Sequence, residues 1–254
     1  MTLGATPLGA NNENNEEDAS RNIRRMFGEV APRYDLLNRL LSLYIDQFWR
    51  RTLVRQTRTE LKKTHTRILD LCCGTGDLLI ELELERRRLH SASGFQGIGL
   101  DFSRPMLVAA NRKIAKKGLS SMLIEADSLC LPHLNNQFDL ITIAYGFRNL
   151  ANYQKGVNEI FRVLRPGGRL ALLEFSQPTN PLIRPLFSFY FHNILPRLGN
   201  AFSGSGNAYT YLQQSVDRFL TPSELCAVFK VAGFSHTESI PITGGISVLH
   251  LAVK

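Results

Sequence analysis

The residues best suited to chemistry fall at the ends of four short apolar runs. Ile68-Leu69-Asp70-Leu71-Cys72-Cys73 runs into Gly74-Thr75-Gly76-Asp77, giving the spacing Asp70-x-x-x-Gly74-x-Gly76 between a strand and a helix. Glycines at such a turn let the backbone approach a ligand, and the helix that follows offers unpaired N–H groups. A second acid, Asp101, ends the next apolar run, 25 residues beyond Gly76, where it is placed to accept two ribose hydroxyls. The third run ends in Glu125-Ala126-Asp127-Ser128, where Asp127 is a candidate acceptor for an exocyclic amine. The fourth leads into Ala144-Tyr145-Gly146-Phe147-Arg148-Asn149, whose Arg and Asn are candidates for orienting a substrate oxygen.

A nicotinamide dinucleotide site would need a further glycine three residues after Gly76, and that position is Leu79. S-Adenosylmethionine carries no phosphate. It needs a glycine turn beside its amino-acid part and an acid for its ribose, which Asp70, Gly74, Gly76 and Asp101 supply. The other reading of the same residues is a tight turn that holds no ligand.

These groups require a framework that brings strand ends together. Seven strand candidates follow the chain: 68–73, 95–101, 122–126, 138–144, 169–175, 234–242 and 246–253. Helical stretches follow the first, second and fourth, which predicts a doubly wound, mostly parallel α/β sheet covered on both faces. Gly244-Gly245 between the last two predicts an antiparallel hairpin. Leu164-Arg165-Pro166-Gly167-Gly168 reads as a helix stop and a turn into the fifth strand. Upstream, Leu37, Leu40, Leu41, Tyr44 and Phe48 recur at helical spacing, and Pro32 limits the first of two or three helices. Residues 1–20 are expected to be a disordered acidic leader, and residues 21–254 a single domain with a helical cap at 21–66. Residues 178–216 hold seven aromatics and no acid, which predicts a hydrophobic insertion, either a lid or a dimer face.

The chain has 254 residues and a net charge of +8. Its ordinary composition excludes a collagen-like, disulfide-scaffold or wholly disordered protein. The charge is uneven: residues 21–67 hold twelve bases and four acids, whereas residues 1–20 hold four acids and no base. The four cysteines, Cys72, Cys73, Cys130 and Cys226, lack metal spacing and read as reduced thiols. The six histidines are scattered, so no metal site is expected. With no signal sequence and no spanning apolar run, the expected location is cytoplasmic.

The order of motifs resembles the class I S-adenosylmethionine-dependent methyltransferases, and within them the ubiquinone/menaquinone biosynthesis C-methyltransferases. The resemblance rests on Met26-Phe27-Gly28-Glu29-Val30-Ala31-Pro32-Arg33-Tyr34-Asp35-Leu36-Leu37-Asn38, on Leu40-Leu41-Ser42 and Trp49-Arg50, and on Asp70 to Asp77. Gly146-Phe147-Arg148-Asn149 and Leu164-Arg165-Pro166-Gly167-Gly168 complete it, so that it spans about Arg21 to Lys254. It implies cofactor contacts at Thr75, Asp101, Asp127 and Ser128. Where some members carry Ser, this chain has Ala144, and Cys72 replaces the usual first glycine of the turn.

The resemblance further implies methyl transfer to a ring carbon of a lipid-soluble polyprenyl quinol, most like demethylmenaquinol. Ubiquinone-precursor and phylloquinone branches are the alternatives. Methyl transfer of this kind needs no metal and no covalent enzyme intermediate, so Cys73 is expected to be a packed core thiol. Arg148 and Asn149, with Tyr34 closing from the cap, are the expected polar half of the substrate site. Arginine is too basic to act as a general base, so Arg148 is expected to stabilise the quinolate. A bilayer-resident substrate implies peripheral contact with the inner face of the cytoplasmic membrane, for which the basic segment is the candidate. The rival of another class is a basic RNA-binding protein or RNA methyltransferase, suggested by the pI of about 9.5. Against it, the segment carries no recognisable RNA-binding module, so no nucleic-acid partner is expected.

Overall fold

The computed structural model describes residues 13–90, 97–178, 180–195 and 208–254. Seven strands form one sheet in the order β3-β2-β1-β4-β5-β7-β6. They are β1 (Ile68–Leu71), β2 (Ile98–Asp101), β3 (Met122–Glu125), β4 (Phe138–Ala144), β5 (Leu164–Phe175), β6 (His236–Ile242) and β7 (Ser247–Val253). The pairs among β1 to β5 are parallel, and β7 runs antiparallel to both β5 and β6. The expected hairpin is present, closed by a 3₁₀ turn at Thr243–Gly245. The fifth strand begins earlier than expected. Leu164 already pairs with Phe138, and the Pro-Gly-Gly segment is accommodated by a register shift before Leu140 meets Arg169.

Period-2 alternation assigns the two faces of the sheet. Leu69, Leu71, Ile141, Ile143, Leu170 and Leu172 point to one face. There they pack on α7 (Tyr153–Val163) and α10 (Pro222–Ala232) through Val157, Ile160, Val228 and Phe229. Ile68, Leu140, Ala171, Leu173 and Leu249 point to the other. They meet α3 (Ile45–Gln56) and α5 (Asp77–Leu89) at Trp49, Leu53, Leu78 and Leu82. Each such Leu or Ile contributes about 1.5–3 kcal/mol relative to exposure. The helices α5, α6 (Arg104–Lys116), α7 and α10 around the sheet start close to where their sequences predict. At α10, Thr221 and Glu224 form a reciprocal capping box.

Upstream of β1 lie α1 (Glu13–Val30), α2 (Tyr34–Leu41), α3 and the short α4 (Arg58–Leu61). Two expectations are corrected here. Residues 13–20 are helical rather than a disordered leader, because Ala19 and Ile23 are buried against the body and Asn152 donates to Glu16 at 2.7 Å. Residues 1–12 of that leader lie outside the described residues. The expected stripe from Leu37 to Phe48 is not continuous: Leu43 and Tyr44 take left-handed φ of 52° and 63°, which separates α2 from α3. Tyr44 and Phe48 consequently face solvent. The aromatic segment forms α8 (Ile183–Phe189), a π-helical turn at Tyr190–Ile194, and α9 (Ala208–Asp217). Phe202 of that segment, like the start of the second strand at Phe95 and Gln96, lies outside the described residues. The remaining helix, α6 (Arg104–Lys116), connects β2 to β3.

Candidate active site

The strand order reverses at β1, so a crevice opens between the carboxyl ends of β1 and β4, the usual ligand position in such sheets. Two adjoining cavities occupy it, of about 420 Å³ and about 60 Å³. Tyr34, Cys72, Gly74, Ala144 and Tyr145 line both.

The smaller cavity is bordered by Asp101, Asp127, Ser128, Gly146 and Asn149. Asp101 accepts backbone hydrogen bonds from Gly74 at 2.9 Å and Ser103 at 2.8 Å, so it also fixes the glycine turn. Burial lifts its pKa to about 6, against the pull of those donors. Asp127 accepts from the Leu129 N–H at 2.9 Å, and the Ser128 hydroxyl lies 3.6 Å from Cys72 Sγ. Gly146 is required by proximity: a Cβ there would lie 2.3 Å from the Cβ of Cys72.

Asp70, Thr75 and Asp77 border the larger cavity. Asp70 shares a sheet face with Thr142, which donates to Oδ1 at 2.6 Å. The other oxygen, Oδ2, is buried without a hydrogen-bond partner. Burial foremost, then the nearby Asp101 carboxylate, raise the pKa of Asp70 to about 7, against the Thr142 hydrogen bond. Gly76, at φ 80°, turns the chain into α5 and has its Cβ position 3.2 Å from Ala110 Cβ. The turn therefore sets the buried Asp70 carboxyl against the wall of the larger cavity, next to the smaller acid- and hydroxyl-lined one. The residues present fit S-adenosylmethionine.

Thr75 reaches the cap. Its hydroxyl donates to Asp35 Oδ1 at 2.5 Å, while Lys113 on α6 donates to Asp35 Oδ2 at 2.7 Å and to Asp77. Asp77 also pairs with Arg50, which pairs with Asp46. Burial would raise the Asp77 pKa, but Lys113 and Arg50 hold it below the ordinary value. Sequence reading placed neither Asp35 nor Lys113 at the site, since they meet Thr75 only through the fold.

Arg148 lines the larger cavity and is 5% exposed. Its Nη1 lies 2.8 Å from Glu174 Oε1, and its Nε donates to Ser215 Oγ at 3.2 Å. Burial opposes the guanidinium charge, but Glu174 outweighs it and the pKa stands above the ordinary arginine value. Asn149 borders the smaller cavity, where its Oδ1 accepts from Tyr211 at 2.9 Å. Tyr34 touches both cavities and hydrogen-bonds Asn38; burial nevertheless raises its pKa, so it remains a protonated donor. All three expected catalytic residues therefore border the same crevice. Glu174 was missed: an acid within an apolar strand carries no sequence signal of its partner. Burial also raises the thiol pKa of Cys73 well above the ordinary value. Among the described residues no group of three or more His, Cys, Asp or Glu side chains is placed to hold a metal ion.

The fold is similar to solved structures of SAM-dependent methyltransferases. One from Thermotoga maritima superposes with a TM-score of 0.60 at 14% identity, covering 91% of this chain and 99% of its own. One from Aquifex aeolicus gives 0.55 at 17% identity, covering 79% and 88%. The fold is that of the S-adenosylmethionine-dependent methyltransferases. Its sequence is 46% identical to a demethylmenaquinone methyltransferase of Thermus thermophilus, over 89% of this chain and 98% of that one. It is 42% identical to one of Deinococcus radiodurans, over 94% and 95%. A ubiquinone/menaquinone biosynthesis C-methyltransferase UbiE of Geobacter sp. matches at 37%, over 91% and 96%. The chain belongs to the ubiE/COQ5 methyltransferase family, whose model matches residues 13–254.

Proposed function

We propose that the chain methylates a ring carbon of a polyprenyl quinol, converting demethylmenaquinol to menaquinol in menaquinone biosynthesis. The observation that carries this reading is the pair of adjoining cavities. A small, acid- and hydroxyl-lined one opens at the glycine turn into a larger one with an apolar wall of Phe27, Trp49, Phe175, Phe187 and Phe191. The Thermus and Deinococcus relatives carry the demethylmenaquinone name, which supports the menaquinone branch.

S-Adenosylmethionine, when bound, supplies a methyl group on a positively charged sulfur. Asp70, Gly74, Thr75 and Gly76 would hold its amino-acid part, and Asp101, Asp127 and Ser128 its nucleoside. The chain must then hold the acceptor carbon in line and help remove one proton. A quinol hydroxyl that loses its proton makes the adjacent ring carbon nucleophilic. Arg148, held charged by Glu174, stabilises the resulting oxyanion. Tyr34 donates to a ring oxygen from the cap side, and Asn149 is oriented by Tyr211. As the new C–C bond forms, the methyl–sulfur bond breaks and neutral S-adenosylhomocysteine leaves; loss of the ring C–H proton restores aromaticity and the ring oxygen regains a proton, so one proton is released in all. The apolar walls exclude water from the oxyanion and receive the first part of the prenyl tail.

The test is mass spectrometry of lipid quinones after deletion of the gene. Unmethylated naphthoquinone is expected to accumulate and to disappear on complementation. An accumulated benzoquinone precursor would move the enzyme to the ubiquinone branch.

A further inference from the structure

We propose that the mouth of the larger cavity is a docking surface for an anionic phospholipid bilayer, with Tyr44, Phe48, Leu182 and Phe189 as apolar anchors. The proposal deepens, and rests on, the polyprenyl-quinol reading. Two separate elements project apolar side chains into solvent. At the α2–α3 junction Leu43 is 71% exposed, Tyr44 54% and Phe48 49%. At α8, Leu182 is 80% exposed, Leu186 74% and Phe189 61%. Leu43 and Leu186 also line the same 420 Å³ cavity, so the two projections flank one mouth. Exposed apolar groups this concentrated mark an interaction site.

Continuity and charge select the occupant. The apolar lining runs outward from Phe187 and Phe191 to Leu43 and Leu186, and so joins the cavity interior to the projecting rim. A tail drawn from an acyl layer resting on that rim stays among apolar groups throughout. Neither projecting segment carries an acid between Leu36 and Ile45 or between Pro181 and Leu195, and Arg184 beside the anchors is exposed. Asp46, the first acid after the junction, is buried and paired with Arg50. Part of the basic segment is paired within the chain. Arg50 is committed to Asp46 and Asp77, Arg51 to Glu81, and Arg58 to Glu85. Apolar insertion holds the surface, and basic side chains near it bias it toward anionic headgroups.

The test is flotation of the full chain with phosphatidylglycerol-containing vesicles, compared with a Tyr44→Asp/Leu182→Glu variant. Aspartate tolerates the left-handed backbone at position 44. The wild type should float, and float less with phosphatidylcholine alone. The variant should lose about tenfold in vesicle partitioning, as expected when inserted apolar area is replaced by charge. It should still bind S-adenosylmethionine and still methylate a tail-less quinol in solution. Equal flotation of variant and wild type would overturn the proposal. So would a wild-type dimer that these substitutions dissociate, since the face would then belong to a second copy. A wild type that floats but leaves the tail-less quinol unmethylated would instead refute the quinol reading alone.

Discussion

Arg148 and Glu174 form a buried ion pair at the carboxyl ends of β4 and β5, with Nη1 2.8 Å from Oε1 and Glu174 fully enclosed. The guanidinium bordering the cavity is thus part of the core as well as of the site. Removing one partner of a buried pair leaves the other uncompensated. Arg148→Ala is therefore expected to lower unfolding stability by about 3–5 kcal/mol in urea titrations. Glu174→Ala in the same chain should recover part of that loss without restoring turnover. Full activity in the double variant would remove Arg148 from the chemistry.

The Asp70 carboxyl, at a pKa of about 7, and Asp101, at about 6, both stand above ordinary carboxyl values. Between about pH 4 and 7 the folded chain holds protons that the unfolded chain has released. Their contribution to stability is thus complete below the unfolded pKa and lost as pH rises through these values. Binding of a cationic amine needs the ionised form, so S-adenosylmethionine affinity should rise by about tenfold per pH unit toward pH 7. Titration calorimetry on Asp70→Asn should show weaker binding with a shallower pH slope. An unchanged slope would place the cationic amine elsewhere.

Gly146 and Cys72 are coupled by contact. A methyl group at 146 cannot coexist with the Cys72 side chain at 2.3 Å, so Gly146→Ala should cost about 1–3 kcal/mol or more. Cys72 sits at a left-handed φ of 53°, which glycine adopts freely. Cys72→Gly should consequently rescue Gly146→Ala in thermal melts, whereas Cys73→Gly should not.

Lys113 ties the cap to the glycine turn through Asp35 and Asp77. Charge-assisted hydrogen bonds of this kind contribute about 1.5–3 kcal/mol, so Lys113→Met should reduce kcat/KM by about tenfold or more. Limited proteolysis should then cut more readily between α1 and α3, where the cap has lost its tether. Unaltered kinetics with unaltered proteolysis would show that the tether plays no part in closing the site.

Much of this was legible along the chain because the informative signals are local. Short apolar runs and Gly spacing mark β1, its turn and the terminal hairpin, and the acids Asp70 and Asp101 follow directly. The unread parts depend on partners distant in sequence. The start of α1 reads as disordered, since Glu13 to Asp18 carry little apolar content until Ala19 and Ile23 find the body of the domain. Arg50 reads as one more surface base until Asp77 meets it across 27 residues. Glu174 looks like a flaw in an apolar strand until Arg148 is placed beside it.

Ring methylation is tested by transfer of labelled methyl from S-adenosylmethionine by the purified chain, with a short-tailed demethylmenaquinol as acceptor. A labelled menaquinol bearing the new methyl on the ring carbon beside a hydroxyl is expected, with turnover lost in Arg148→Ala. Label found on a ring oxygen, or only on a benzoquinol precursor supplied in competition, would rule out C-methylation of demethylmenaquinol.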